Sequence, residues 1–392
     1  MKKIVILFFI LITMQTLLKP PILAKAESLN STEEIETEIS NTVNDLLTDL
    51  DLSGIDKLYD DEYKIFGNTS FKEKVNDLIN GTYFDNYNNV FSAVISLVFD
   101  GLASLLPIFL TIIAIAVLSS ILNNLKSDSK NNVSQIVNFV CFAVIITILS
   151  VNFKNVIQQT SDCLNLMKSQ MDAIFPIILT LISAIGGTVS VSIFKPVVAI
   201  LSNWISSLFS GLLLPIFIIS FLFTVIGSLS PNVKLNKFNS FLSSTFKWIV
   251  GFVFTMFSSF LAIQGISAGK YDGISIKASK FAIKSYIPII GGYLSEGLDF
   301  IMLGSILIKN AIGVAGLIIL FVTILSPLIQ ILLLKLGLQL VAGIVEPTNN
   351  KEISDLISSC SKVLLFPIVL ILGVAFMYII SIALLMCTAN FV

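Results

Sequence analysis

The chain has 392 residues, 55% of them hydrophobic and 12% charged, with a net charge of −1. A soluble domain carries about a quarter charged residues, so this much apolar surface excludes a water-soluble fold and makes lipid the natural solvent. The sequence holds neither His nor Arg, which removes imidazole general-base catalysis, histidine metal ligation and arginine forks for phosphate. Coding bias towards Lys, Ile and Asn is the plainer account of both absences.

Lys2 and Lys3 precede an apolar run from Ile4 to Ile12, and Ala24-Lys25-Ala26 follows the prolines at 20 and 21. A basic start, a short apolar centre and an A-x-A end read as a secretory signal, with cleavage after Ala26. The competing reading is an uncleaved anchor. Residues 27–92 differ in kind. Between Glu27 and Val90 there are 15 acidic residues and 4 lysines. Apolar residues recur there at helical spacing, as in Val43, Leu46, Leu47 and Leu50, which predicts a small acidic helical region outside the cytoplasm. At about 65 residues it buries only a modest core.

Residues 93–392 form the predicted membrane domain, with 10 acidic residues and 16 lysines. Candidate spans are 102–122, 133–152, 173–194, 196–229, 245–266, 301–326 and 362–386, with a further apolar helix at 328–345. Each core reaches roughly 20 residues, the length a bilayer of about 30 Å requires. Backbone amides in lipid bond within their own segment, so these are helices. The expectation is an all-α bundle of six to eight spans, some broken or re-entrant. Segment 196–229, with Ser210-Gly211 and Pro215 near its middle, reads as one kinked span or a re-entrant pair. Lysines near 234–247 and 270–284 cannot share one side if only 245–266 separates them, so the positive-inside count leaves the second half open.

Prolines recur as Leu106-Pro107-Ile108, Phe175-Pro176-Ile177, Leu214-Pro215-Ile216, Ile287-Pro288-Ile289 and Phe366-Pro367-Ile368. Each can bend a helix and free a carbonyl. Proline is common in membrane helices, which explains the recurrence without inverted repeats.

Intramembrane polar groups are the best functional candidates, because they are costly unless paired or wet. Ser305, Lys309, Gly313 and Gly316 fall on one helix face. Small residues permit close contact there, turning Lys309 inward; the alternative is a lysine snorkelling to the interface. Glu296 and Asp299 can serve as its counter-charges only if the chain folds back between them. Lys335, Gln339 and Gly343 share a stripe that either lines the bundle or lies in the interface. Lys277, Lys280 and Lys284 share an arc, which suggests a basic interfacial helix at anionic headgroups or an ordinary basic loop. Asn203, Ser206 or Ser207, and Ser210 form a further polar stripe, best explained by helix packing.

Cys141, Cys163, Cys360 and Cys387 contain no C-x-x-C pair and read as small hydrophobes. There is no P-loop, G-x-S-x-G or H-E-x-x-H, and Gly186-Gly187 and Gly291-Gly292 are too isolated for a nucleotide site. No catalytic, cofactor or metal site is expected, and no nucleic-acid partner.

Certain stretches are more specific than composition. Gln264-Gly265, Asp272-Gly273-Ile274, Lys277, Ala278-Lys280-Phe281, Ile287-Pro288-Ile289-Ile290-Gly291 and Leu307-Lys309-Asn310 with Gly313 resemble the pattern of the stage III sporulation protein AE family. So do Gly186-Gly187-Thr188-Val189-Ser190 and Phe194-Lys195-Pro196-Val197. The resemblance covers most of the chain and is strongest from about 173 to 320. It implies a multi-pass protein of the mother-cell membrane facing the forespore. Its implied partners are the lipid bilayer and the other stage III sporulation operon proteins, including a cytoplasmic ATPase and ring-forming proteins, and indirectly stage II sporulation protein Q. The implied function is that of a membrane subunit of a channel or secretion-like complex that sustains late forespore gene expression. The alternative is a self-sufficient permease for a small solute or ion.

Overall fold

A computed structural model describes residues 42–43, 45–48, 50, 71–79, 87–124, 132–229, 235–286, 291–348 and 350–388. The expected signal segment with Ala26, most of the acidic region and the Ile287-Pro288-Ile289 stretch lie outside these residues. Every regular element among the described residues is helical. In chain order they are α1 (Phe71–Ile79), α2 (Tyr87–Asn124), α3 (Asn132–Ala184), α4 (Thr188–Trp204), a π-helical segment (Ile205–Leu213), α5 (Leu214–Leu229), α6 (Asn236–Tyr286), α7 (Gly291–Val345), a 3-10 turn (Glu346–Thr348), α8 (Lys351–Val363) and α9 (Leu365–Cys387).

Six of the resulting stretches are long and apolar enough to cross a membrane. The expected boundaries between them need correction. Segments 133–152 and 173–184 belong to one helix, α3, which runs 53 residues, about 80 Å at 1.5 Å per residue. The break falls at 185–187, inside the expected span 173–194. Segments 301–326 and 328–345 likewise merge in the 55-residue α7, with Pro327 inside it. The basic segment 270–284 is the C-terminal part of α6, continuous with 245–266; it is not a separate interfacial helix. Six stretches fall within the expected six to eight, with different boundaries.

The turn after α3 has a clear local cause. Gly186 adopts φ +92°, a conformation that side chains with a Cβ resist. Its N–H donates to the Ser183 carbonyl at 2.9 Å, and the Gly187 N–H to the Ile182 carbonyl at 2.9 Å. This is the Schellman pattern, with Gly at the left-handed position. The Gly186-Gly187 pair is thus a helix stop.

Segment 196–229 is neither sharply broken nor re-entrant. It lies within a helical stretch from Thr188 to Leu229 that widens to a π-helix over 205–213. Pro215 has no N–H and cannot continue the ladder. Just before it, the Leu214 N–H reaches back five residues to the Phe209 carbonyl. Pro327 creates the same problem inside α7, leaving the Thr323 carbonyl without its helical donor. The Cys163 thiol of α3 donates to that carbonyl at 3.8 Å.

Side-chain contacts set the helices in register. Gln159 Nε2 of α3 donates to Gln330 Oε1 of α7 at 2.6 Å. Gln170 Nε2 donates to Thr323 Oγ1 at 2.7 Å. The two helices therefore run antiparallel. Ser354 and Ser361 of α8 donate to the carbonyls of Ala342 and Lys335, both at 3.0 Å. A Cβ at Gly313 would meet Met386, and one at Gly316 would meet Ile382. Hence α8 and α9 together run antiparallel to α7 along its length. By the same logic α2 runs parallel to α7, with Leu333 against Gly101 and the Phe109 ring seated on Gly337.

The result is an up-and-down bundle with α7 as its spine. Phe153, Phe217 and Phe221 join α3 to α5, and Phe366 stacks on Phe246 at 4.4 Å to join α9 to α6. Val43, Leu47, Phe71 and Val75 belong to the same continuous core. Leu46, Thr42 and Val43 lie against Gly304, so these described N-terminal residues pack on the first half of α7.

Candidate functional site

Among the described residues, two carboxylate or ammonium side chains are fully buried in the bundle, Asp272 and Lys309. Their settings share one physical solution. A buried charge needs a compensating partner, and each of these meets a helix end of opposite partial charge.

The Asp272 carboxylate of α6 accepts the N–H groups of Val189 and Ser190, both at 3.0 Å. It also accepts a very short bond from the Ser190 hydroxyl. These N–H groups are among the orphan donors of the first turn of α4, whose preceding residue, Gly187, has no side chain to cap them. Asp272 therefore acts as an N-cap supplied from a distant helix. Gly186 allows α6 this close: a Cβ there would stand 3.1 Å from Ile276 Cγ1.

Lys309 Nζ donates to the Thr388 carbonyl at 2.5 Å. Thr388 follows the last residue of α9, where terminal carbonyls lack intrahelical donors. A cation there also meets the negative end of the helix dipole. Ser305, one turn earlier on α7, is fully buried, and its hydroxyl has no hydrogen-bond partner among the described residues.

The fold-back that Glu296 and Asp299 would need to serve as counter-charges to Lys309 does not occur. Helix α7 is continuous from Gly291, so Glu296 and Asp299 are carried away from Lys309 by the helical rise. Asp299 instead pairs with Lys280 across the α6–α7 hairpin, and Glu296 is exposed. Lys277 and Lys284 are exposed on the same end of α6. Lys335 is half-buried, while Gln339 and Gly343 lie on the surface. Asn203 and Ser207 are exposed, and each bonds within its own helix.

Polar contacts also fill the α3–α7 seam through Gln159, Gln170, Thr323 and Gln330. Asn239 links Ser220 and Thr224 across the α5–α6 hairpin. Asp272 and the seam glutamines were missed as site residues by sequence reasoning. Asp272 stood among lysines that read as a basic arc, and the seam glutamines stood in a stretch polar enough to read as a connection. The one usable signal was the presence of two specific segments, Gly186–Ser190 and Asp272–Ile274, which the fold brings into contact.

Among the described residues no group of three or more His, Cys, Asp or Glu side chains is arranged to hold a metal ion. A cleft of about 200 Å³ opens between α6 and α8, lined by Asn239, Ser240, Ser243, Ser359 and Lys362, with Phe366 in its wall.

The family profile described as Stage III sporulation protein AE matches residues 69–389. The chain belongs to that family. It is 24% identical over 322 residues to the stage III sporulation protein AE of Bacillus subtilis (strain 168), covering 82% of this chain and 81% of that protein. No solved structure matches. As a member of the stage III sporulation protein AE family, this is a sporulation protein, and its six candidate spans make it a multi-pass membrane protein.

Proposed function

We propose that the chain is an integral membrane subunit of the channel or secretion-like complex that links mother cell and forespore. Its place is the mother-cell membrane facing the forespore. In this reading it performs no catalysis and works with the other stage III sporulation operon proteins, including a cytoplasmic ATPase and ring-forming proteins, and indirectly with stage II sporulation protein Q. The observation that carries the reading is family membership over residues 69–389 joined to a bundle of long spanning helices. A chain without an energy-coupling motif needs a partner ATPase or an ion gradient to drive active transport.

Lys309 supports a subunit over a self-sufficient permease. Its ammonium is fully buried against the Thr388 carbonyl, which serves helix packing. The up-and-down order also suggests an orientation. The described N-terminal residues pack near Gly304, at the end of α7 that holds the Lys280–Asp299 pair. With that end outside the cytoplasm, the α2–α3, α5–α6 and α7–α8 connections face inward. Lysines stand at both ends, with Lys277, Lys280 and Lys284 at the outer one, so this orientation rests on the N-terminal residues.

The decisive experiment is a clean deletion in the spore-forming host. Engulfment should complete, late forespore reporters should stay silent, and heat-resistant spores should be lost. Normal spores from the deletion strain would overturn the proposal.

A further inference from the structure

The middle of α3 carries a stripe that lipid cannot accept. Lys154, Gln158, Asp162, Asn165, Ser169 and Asp172 recur at helical spacing, and all six are exposed. Gln158 Nε2 donates to Asp162 Oδ1 at 3.0 Å along the stripe. From residue 152 to residue 172 no large apolar side chain of α3 is exposed. Above this stretch Val140, Val144 and Val151 are outward-facing and apolar.

The register of the bundle sets the level of this stripe. Gly316 of α7 faces both Ile174 of α3 and Ile382 of α9, and Gly373 of α9 faces Phe254 of α6. Counting along α9 at about 1.5 Å per residue, α6 from Trp248 to Phe260 stands level with the α3 stripe. At that level α6 exposes Trp248 (69%), Phe252 (52%), Met256 (50%) and Phe260 (40%). One flank of the bundle is thus suited to lipid and another, at the same height, carries charge of both signs. Ionised side chains at bilayer depth face a water-filled space or a polar partner.

We propose that this flank of α3 lines a water-filled passage at bilayer depth, walled by several copies of this chain related about an axis along the membrane normal. Copies inserted in one direction can share only such an axis, which brings each stripe towards its own equivalents. Lys154 then faces Lys154, and Asp162 faces Asp162. Like charges in dry contact repel, so the stripes stay apart and hydrated. The inference deepens the reading of this chain as a subunit of an intercellular complex and rests on it.

The test uses the full chain in proteoliposomes, with the exposed Cys387 replaced by Ser. Gln158→Cys, Asn165→Cys and Ser169→Cys are exposed to a charged, membrane-impermeant thiol reagent, with Phe252→Cys as the lipid-facing control. Each variant is first required to elute as a single species. Labelling on the stripe at least about tenfold faster than at Phe252→Cys is expected. In a Trp204→Phe variant, brominated acyl chains should quench Trp248, placing this level within the bilayer. A long bifunctional thiol reagent should join Ser169→Cys chains to one another. Protection of all three stripe cysteines would overturn the passage, as dry contact with a partner or lipid. Fast labelling without quenching of Trp248 would put the stripe outside the membrane and also overturn it. Labelling and quenching without cross-links would overturn the multi-copy wall. Failure of the intercellular-complex reading shows separately, in the deletion phenotype.

Discussion

Removing the Asp272 carboxylate tests the central packing argument. In Asp272→Ala the N–H groups of Val189 and Ser190 lose their acceptor inside the bundle, and the Ser190 hydroxyl loses its own. An unsatisfied buried donor costs about 1–3 kcal/mol, and loss of an N-cap about 1–2 kcal/mol. Two such donors are orphaned and the cap loss overlaps with theirs, so the expected loss is about 3–5 kcal/mol. Asp272→Asn is the more telling variant. Its Oδ1 can satisfy one N–H, but its NH₂ faces another donor, so roughly half the loss should remain. Ser190→Ala removes one hydroxyl and should cost about 1 kcal/mol. Intrinsic fluorescence suits the measurement, because the two tryptophans lie on the helices that Asp272 ties together, Trp204 in α4 and Trp248 in α6. A midpoint lowered by roughly 6–10 °C in detergent is expected for Asp272→Ala. If both Asp272 variants melt with the parent chain, the carboxylate is not capping α4 and the reasoning fails.

Three further outcomes follow from the same geometry. Gly186→Ala should destabilise by about 1–2 kcal/mol through its positive φ, and more if Ile276 cannot yield; a melting curve matching the parent would refute the turn. Lys309→Met should loosen the end of α9, because the Thr388 carbonyl loses its donor; faster proteolysis of the C-terminal segment in detergent checks it, with unchanged cleavage as the refuting result. Burial lowers the pKa of Lys74 in α1 to about 8, against an opposing pull from Asp77. Its folded pKa lies below the ordinary lysine value, so docking of α1 should strengthen as pH rises from about 8 towards 10.5. Lys74→Met should abolish that rise, read as amide-exchange protection of residues 71–79 across the pH range.

Helix as the regular structure of the membrane domain was visible in the chain itself, whereas the stop at Gly186-Gly187 was not, because 173–194 read as one unbroken span. Long apolar runs with few charges leave the backbone no other way to satisfy its amides in lipid. Where the reading went astray, the cause was a local pattern overruled by a neighbour. Polar residues 153–172 look like a connection until Gln159 and Gln170 find Gln330 and Thr323 on α7. Pro327 looks like a boundary until Cys163 takes up the carbonyl it frees. Asp299 looks like a partner for Lys309 until helical continuity carries it to Lys280.

Sequence alone determined the solvent, the helical class, the family resemblance and the residue types able to carry charge into the bundle. Tertiary structure decided which of those charges are met, and by what. Asp272 and the α4 N-terminus are 82 residues apart, and Lys309 and the end of α9 are 79 apart. A helix end is a partial charge with a position in space, and only packing determines which buried ion it meets. The same packing leaves the charged stripe of α3 on one outer flank, level with a flank on α6 that is fit for lipid.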